Sequence, residues 1–242
     1  MLRYLILSDI HGNREALDAV LVAAQGQYDQ VACLGDLVGY GADPNYVVEW
    51  ARASVSAIIR GNHDRVMFEN DSDAAYRGEA QDSTRWTRRA LTPENLDYLR
   101  RLPKGPLPWG GFDLVHGSPL DEDQYLVKAS DVAPLGPSLR SPLTFFGHTH
   151  VQGGFLLTAS GVVPVDPSGP VEIDPRDRHY LLNPGSVGQP RDGNWRAACA
   201  LYSADERRVE FVRVPYNAGP TAEKIVLAGM PAMLAARLLM GK

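Results

Sequence analysis

Apolar and polar positions follow two rhythms along this chain of 242 residues. In the first two thirds, short and nearly unbroken apolar runs recur: Tyr4-Leu5-Ile6-Leu7, Val31-Ala32-Cys33-Leu34, Ala57-Ile58-Ile59, Asp113-Leu114-Val115 and Leu143-Thr144-Phe145-Phe146. Runs of this kind suit strands covered on both faces. Between the first two, Leu17, Val20, Leu21 and Ala24 recur at helical spacing and predict an amphipathic helix. Asp43-Pro44 and Thr92-Pro93 each read as an N-cap followed by proline at the first helical position. Leu96, Leu99 and Leu102 mark one face of the helix that follows Thr92. After residue 150 the pattern changes. Phe155-Leu156-Leu157 and Val162-Val163 flank Ser160-Gly161, a hairpin signal. Tyr180-Leu181-Leu182, Ala198 to Tyr202 and Val209 to Val214 read as further strands. These patterns predict a single α/β domain over residues 1–242 with two packed sheets, a mostly parallel one first and a more antiparallel one second. A largely helical insertion is expected at about 66–104 and a helical pair at about 221–240.

Composition narrows the class. Apolar residues make up 44% of the chain and charged residues 22%, an ordinary soluble balance. The net charge of −5 argues against a general nucleic-acid binder, and no nucleic-acid module is recognisable. Cys33 and Cys199 fit neither a metal spacing nor a disulfide framework and read as buried small hydrophobes. Met1 leads almost directly into a strand-like run without a leader pattern. The apolar stretch Ile225 to Met240 is interrupted by Gly229-Met230-Pro231 and carries Arg237, so no membrane helix is expected. A reducing, cytoplasmic setting follows. The helical pair either packs on the core or forms a homo-oligomer interface.

Each of the five early runs ends in a polar motif: Asp9-Ile10-His11-Gly12-Asn13, Gly35-Asp36, Gly61-Asn62-His63-Asp64, His116-Gly117-Ser118-Pro119 and Gly147-His148-Thr149-His150. Ligands of α/β sheets gather beyond the carboxyl ends of the strands, so these motifs should converge. Five of the six histidines lie in them, and only His179 lies outside. In an extended segment, residues two apart project to the same side, which would aim both members of D-x-H and H-x-H at one cluster. The neighbouring glycines allow tight turns and close backbone approach. Carboxylate, imidazole and amide oxygen without thiolate suit manganese, iron, zinc or cobalt. So many groups exceed one tetrahedral zinc but suit two ions sharing a bridging carboxylate. Two divalent ions against Asp9, Asp36 and a hydroxide leave the centre positive, which favours an anionic substrate such as a phosphate ester.

This ordered set resembles the calcineurin-like metallophosphoesterases over roughly residues 3–191. GDLVGYGADP, HGSP and NPGSVGQPRD further resemble the bacterial predicted-phosphodiesterase branch of that family. The resemblance implies a four-layer α/β/β/α sandwich of two mixed β-sheets flanked by helices. It implies two divalent metal ions, Mn²⁺ foremost, with Fe, Zn²⁺, Ni²⁺ and Co²⁺ also compatible. Asp9, His11, Asp36 and His150 would hold one ion. Asp36, Asn62, His116 and His148 would hold the other. His63 would act as general acid or stabilise the transition state, with Asp64 holding its ring, and a metal-bound water or hydroxide would attack. Asn13 and Arg191 are the expected phosphate contacts. The reaction implied is hydrolysis of a small phosphodiester or phosphomonoester. A protein Ser/Thr or dinucleotide phosphatase, a nuclease and a non-enzymatic scaffold of the same fold are the competing readings. Outside the motifs, Trp86, Trp109 and Trp195 read as packing residues, and Arg85, Arg88 and Arg89 as a solvated helix face. Tyr40 reads equally as a substrate contact or a turn-packing residue. The segment 66–104 could wall the site.

Overall fold

The computed structural model of the chain describes residues 2–69, 76–176 and 178–242. Its first sheet runs β3 (Ala57–Ile58), β2 (Gln30–Cys33), β1 (Arg3–Leu7), β11 (Ala197–Ser203), β12 (Arg208–Val214) and β9 (Val171–Glu172). Its second runs β4 (Leu107–Trp109), β5 (Phe112–Leu114), β6 (Leu143–Phe145), β10 (His179–Asn183), β7 (Gly153–Thr158) and β8 (Gly161–Val165). Each sheet is mixed. β1 to β3 are parallel, and β11 enters antiparallel beside β1. β5, β6 and β10 are parallel, and β7 and β8 follow antiparallel. The expected division into an earlier parallel and a later antiparallel sheet is therefore overturned. The chain leaves the first sheet after β3 and returns to it only with β9, β11 and β12, because β1 needs a partner on its second edge.

The alternation of β1 explains its uninterrupted apolar run. Tyr4 and Ile6 point between the sheets, where they meet Phe112, Leu114, Phe145 and Leu182. Leu5 and Leu7 point outward into a helical layer. That layer holds α1 (Arg14–Ala23), α2 (Pro44–Ser54), α5 (Pro93–Arg101), α7 (Ala218–Leu227) and α8 (Ala232–Met240). The outer face of the second sheet packs Val115, Phe146 and Leu181 under α6 (Ala129–Val132) and the 3₁₀ turn Ala133–Ser138. The order of layers is α/β/β/α, as expected. Trp109 packs edge-on to Tyr4 at 5.0 Å, a core role.

Local signals hold with one exception. Ala16, Leu17 and Val20 form the buried face of α1. Thr92 caps α5 by accepting from the Asn95 amide. Asp43 occupies the N-cap position of α2 but makes no cap bond; its carboxylate meets Lys224 of α7 at 2.7 Å. In the expected insertion, α3 (Asn62–Val66), α4 (Glu79–Ala90) and α5 are helical, and residues 70–75 lie outside the described residues. Among the described residues, no helix is long and apolar enough to cross a membrane.

Candidate metal centre

The carboxyl ends of β1, β2 and β3 and those of β5 and β6 lie at one end of the sandwich, so motifs from both sheets meet there. Asp9, His11, Asp36 and His150 are buried with one ligand atom each inside a 4.8 Å cluster. Asp36, His116 and His148 form a second such cluster, so Asp36 belongs to both. Asn62, at the start of α3, turns its Oδ1 to within 2.9 Å of His116 Nε2.

The hydrogen bonds show which atoms are reserved for a cation. His11 Nδ1 donates to the Val38 carbonyl at 2.9 Å, and His150 Nδ1 to that of Gln189 at 2.6 Å. A carbonyl only accepts, so the ring proton sits on Nδ1. Burial pushes both rings below the ordinary histidine range, which keeps them neutral and leaves Nε2 as an acceptor. Those two Nε2 atoms face each other at 3.1 Å, an unfavourable meeting of lone pairs unless a cation lies between them. Asp9 Oδ2 is held by Ser8 Oγ at 2.5 Å and the His148 amide at 3.1 Å, while Oδ1 has no hydrogen-bond partner among the described residues. Asp36 Oδ1 accepts from the His63 amide at 2.8 Å, while Oδ2 has no hydrogen-bond partner among the described residues. That free oxygen lies 3.6 Å from His11 Nε2 and 3.4 Å from His116 Nε2, between the clusters. Buried carboxylate oxygens left bare beside the neutral His11 and His150 rings fit hard or borderline divalent ions.

The remaining rings are anchored from outside the clusters. His116 Nδ1 donates to the Leu34 carbonyl at 2.8 Å, and His148 Nε2 to that of Asp123 at 3.1 Å, leaving His148 Nδ1 to face inward. Such backbone anchors fix ring orientation at metal sites. Burial, then His116, lowers His148 to about 4. For His116, burial works downward, but Asp36 and Asp9 raise it to about 10.

The profile of the calcineurin-like phosphoesterase superfamily domain matches residues 2–207. The chain belongs to that family. A metallophosphoesterase from Sphaerobacter thermophilus is 36% identical, with a TM-score of 0.87 over 100% of this chain and 99% of that one. An uncharacterized protein of Methanocaldococcus jannaschii is 34% identical over 98% of this chain and 97% of its own. A hypothetical protein from Pyrococcus horikoshii shares the fold at 20% identity, with a TM-score of 0.82 over 100% and 99% of the two chains. Family and clustered ligands together make this calcineurin-like chain a metal-dependent phosphoesterase that binds divalent cations.

How this family member aims its ligands differs from the extended D-x-H and H-x-H geometry expected. Asp9, His11, Asp36, Tyr40, His148 and His150 all have φ between 50° and 66°, in the left-handed region. Among the described residues only Arg207 shares that feature without being glycine. Successive left-handed bends, not strand alternation, bring the side chains inward, at a cost of about 1 kcal/mol each. Such strain gathers at functional sites. Glycine is required where backbone meets ligand: a Cβ on Gly61 would lie 2.1 Å from Asp36 Oδ1, and one on Gly147 would lie 2.1 Å from Ser8 Oγ.

Two expected roles do not match the structure. Asp64 does not touch the His63 ring. Its carboxylate accepts from the amides of Asp36, Leu37, Val38 and Gly61 at 2.8–3.3 Å, so it shapes the loop that carries Asp36. Asn13, expected at a phosphate, caps α1 by accepting from the Ala16 amide. It also accepts from Thr221 Oγ1 and donates to the Gly188 carbonyl and the Tyr216 hydroxyl, which uses its whole amide. Arg191 does reach the centre. Its guanidinium lies 5.6 Å from the Tyr40 ring centroid and is steadied by Gln189 Oε1 at 2.8 Å.

His63 lies between aromatic walls that sequence reasoning only partly foresaw. Tyr40 is 4.6 Å away, and Tyr76 stacks on it at 4.8 Å and 12°. Tyr76 also accepts from the Asn62 amide, so this part of the expected insertion lines the site. Tyr125 lies 4.0 Å from the His148 ring. Neither Tyr76 nor Tyr125 stands beside a ligand motif, and no local pattern singled them out. Among the described residues His63 Nδ1 is buried without a partner, and burial lowers the ring's pKa to about 4. Arg88 donates to the carbonyls of Val66 and Glu69, while Arg85 faces Asp82 at the exposed surface of α4.

Proposed function

We propose that the chain hydrolyses small phosphodiesters or phosphomonoesters at a dinuclear centre, with Mn²⁺ as the first metal to try. The observation that carries this reading is the shared carboxylate: Asp36 Oδ2, buried and bare, lies between two clusters of ligand atoms. Asp9, His11, Asp36 and His150 would hold one ion, and Asp36, Asn62, His116 and His148 the other. When bound, such ions polarise a phosphoryl oxygen and provide a nucleophilic hydroxide near neutral pH. The chain's own residues complete the chemistry. Arg191 binds a phosphate oxygen as a fixed cation. Among the described residues His63 Nδ1 has no hydrogen-bond partner, and the ring supplies a proton or hydrogen bond to the leaving-group oxygen. Tyr40 and Tyr76 hold that ring from both sides. The small, anionic ester is the only partner this centre requires. The buried free thiols Cys33 and Cys199 suit a reducing compartment, the cytoplasm.

The test compares bis-p-nitrophenyl phosphate with p-nitrophenyl phosphate on metal-free protein before and after Mn²⁺ addition. Metal-dependent release of nitrophenol from at least one ester is expected. Metal-loaded protein that cleaves neither ester would remove the proposal.

A further inference from the structure

The outer face of the second sheet holds a cavity of about 380 Å³ that shares no residue with the metal clusters. β4, β5 and β6 form one side of it, and Pro119-Leu120 with residues 137–140 form the other. Phe112 and Leu114 of β5 face the core between the sheets, so Asp113 between them faces the opposite way, in register with Thr144 of β6. Elsewhere on this face the same positions carry Val115, Phe146 and Leu181. Asp113 thus puts a carboxylate where the pattern calls for an apolar residue.

That carboxylate is 95% buried and lines the cavity. Among the described residues its Oδ1 has no hydrogen-bond partner and no basic group lies within ion-pairing distance. Arg140 reaches the same cavity but is exposed and makes no ion pair with Asp113. Native interiors pair nearly every buried charge, so a bare one that opens into a cavity indicates a ligand carrying the missing donor. The walls narrow the class. Pro106, Pro108, Pro119 and Pro137 are stiff and apolar, and Leu120 and Leu139 join them. One carboxylate with two hydroxyls, Ser138 and Thr144, is too sparse an oxygen set for a dedicated metal ion. An anion would meet the carboxylate directly. We propose that this cavity binds a small organic ammonium ion, its nitrogen on Asp113 and its hydrocarbon body against the prolines. The volume matches that of small-molecule pockets. The site is independent of the phosphoesterase reading, although β5 runs directly into His116.

Calorimetric titration of the full chain with phenethylamine, and with the isosteric but uncharged phenethyl alcohol, tests the proposal. Saturable amine binding is expected, with the alcohol at least about tenfold weaker. Asp113→Asn should weaken the amine about ten- to a hundredfold, the range for losing a hydrogen bond to a charged group. Ser138→Trp, a rim substitution that fills the cavity without touching the buried charge, should abolish binding. Melting temperature and metal content, expected unchanged, confirm that both variants fold. No saturable binding at millimolar amine would overturn the proposal and leave Asp113 as a hydrated carboxylate. Binding as tight in Asp113→Asn as in wild type would do the same, as would binding lost in Asp36→Asn instead.

Discussion

His63 and Asp64 are adjacent in sequence and do unrelated work. The His63 ring lies against two tyrosines with its Nδ1 bare, whereas Asp64 is spent on four backbone amides. Their truncations should therefore separate. His63→Ala is expected to lower turnover of a nitrophenyl ester by about 10²–10⁴-fold, the usual worth of a proton-transfer group. Metal content, read by elemental analysis, and melting temperature should stay near wild type. Asp64→Ala should instead unfold the protein at lower denaturant, by about 3 kcal/mol or more, because several buried donors lose their acceptor. If Asp64→Ala melted like wild type while losing turnover, the expected pairing of Asp64 with the His63 ring would be restored. The same reasoning separates Asp36, whose loss should remove metal and activity together.

Elements act here mainly by holding one another's loops. The turn at 183–192 carries a family-like segment and Arg191 in the sequence, yet its larger contribution is to brace the first motif. Ser186 Oγ and the Gly188 amide both donate to the Asp9 carbonyl, and the Val187 amide donates to that of Ser8. Asn183 does the same for the fifth motif, donating to the Gly147 carbonyl and Thr149 Oγ1. The C-terminal helices are tied in by Lys224 of α7, which meets Glu15 of α1 at 2.6 Å and Asp43 before α2 at 2.7 Å. For Glu15, burial alone would raise the carboxyl, but hydrogen bonds from Lys224 and Thr221 hold it below its ordinary 4.5. Its stabilisation is therefore complete above about 4.5 and is lost as pH falls through the depressed folded value. For Lys224, burial works downward and both carboxylates outweigh it, so the amine titrates above its ordinary 10.5. That contribution is complete below 10.5 and fades as pH rises through the elevated value. Lys224→Met should cost about 1 kcal/mol at neutral pH, a modest amount because the pair is part-exposed. Thermal melts should show the gap between variant and wild type closing as pH falls below 4.5 and through the depressed Glu15 value. A gap that persisted there would show that the lysine's hydrocarbon stem, not its charge, does the holding.

At the scale of the molecule, the sandwich brings two sheets' strand ends against one cation site, so metal and fold should be linked. Among the described residues, Asp9 Oδ1 and Asp36 Oδ2 are buried acceptors without a hydrogen-bond partner, which a bound cation would satisfy. A ligand at a hundredfold excess over its dissociation constant adds about 2.7 kcal/mol. For a chain of this size that corresponds to about 5–10 °C in melting temperature. Chelation should lower the melting temperature by that order, and Mn²⁺ should restore it. A melting curve indifferent to chelator and metal alike would show that the fold does not depend on the centre.

The sequence by itself determined the element types, because unbroken apolar runs and helical spacing report burial directly. It also marked the ligand motifs, because carboxylate, imidazole and amide residues after five strands leave few other uses for so many polar groups. Tertiary structure alone decided the rest. Strand order could not be read because β11 pairs with β1 across most of the chain, and no local signal encodes that return. The aim of each ligand could not be read because it depends on left-handed bends at residues such as Asp9 and His148, which no local pattern in the sequence marks. For the same reason Asn13 and Asp64 carried residue types suited to catalysis, while their neighbours in space committed them to a helix cap and a loop.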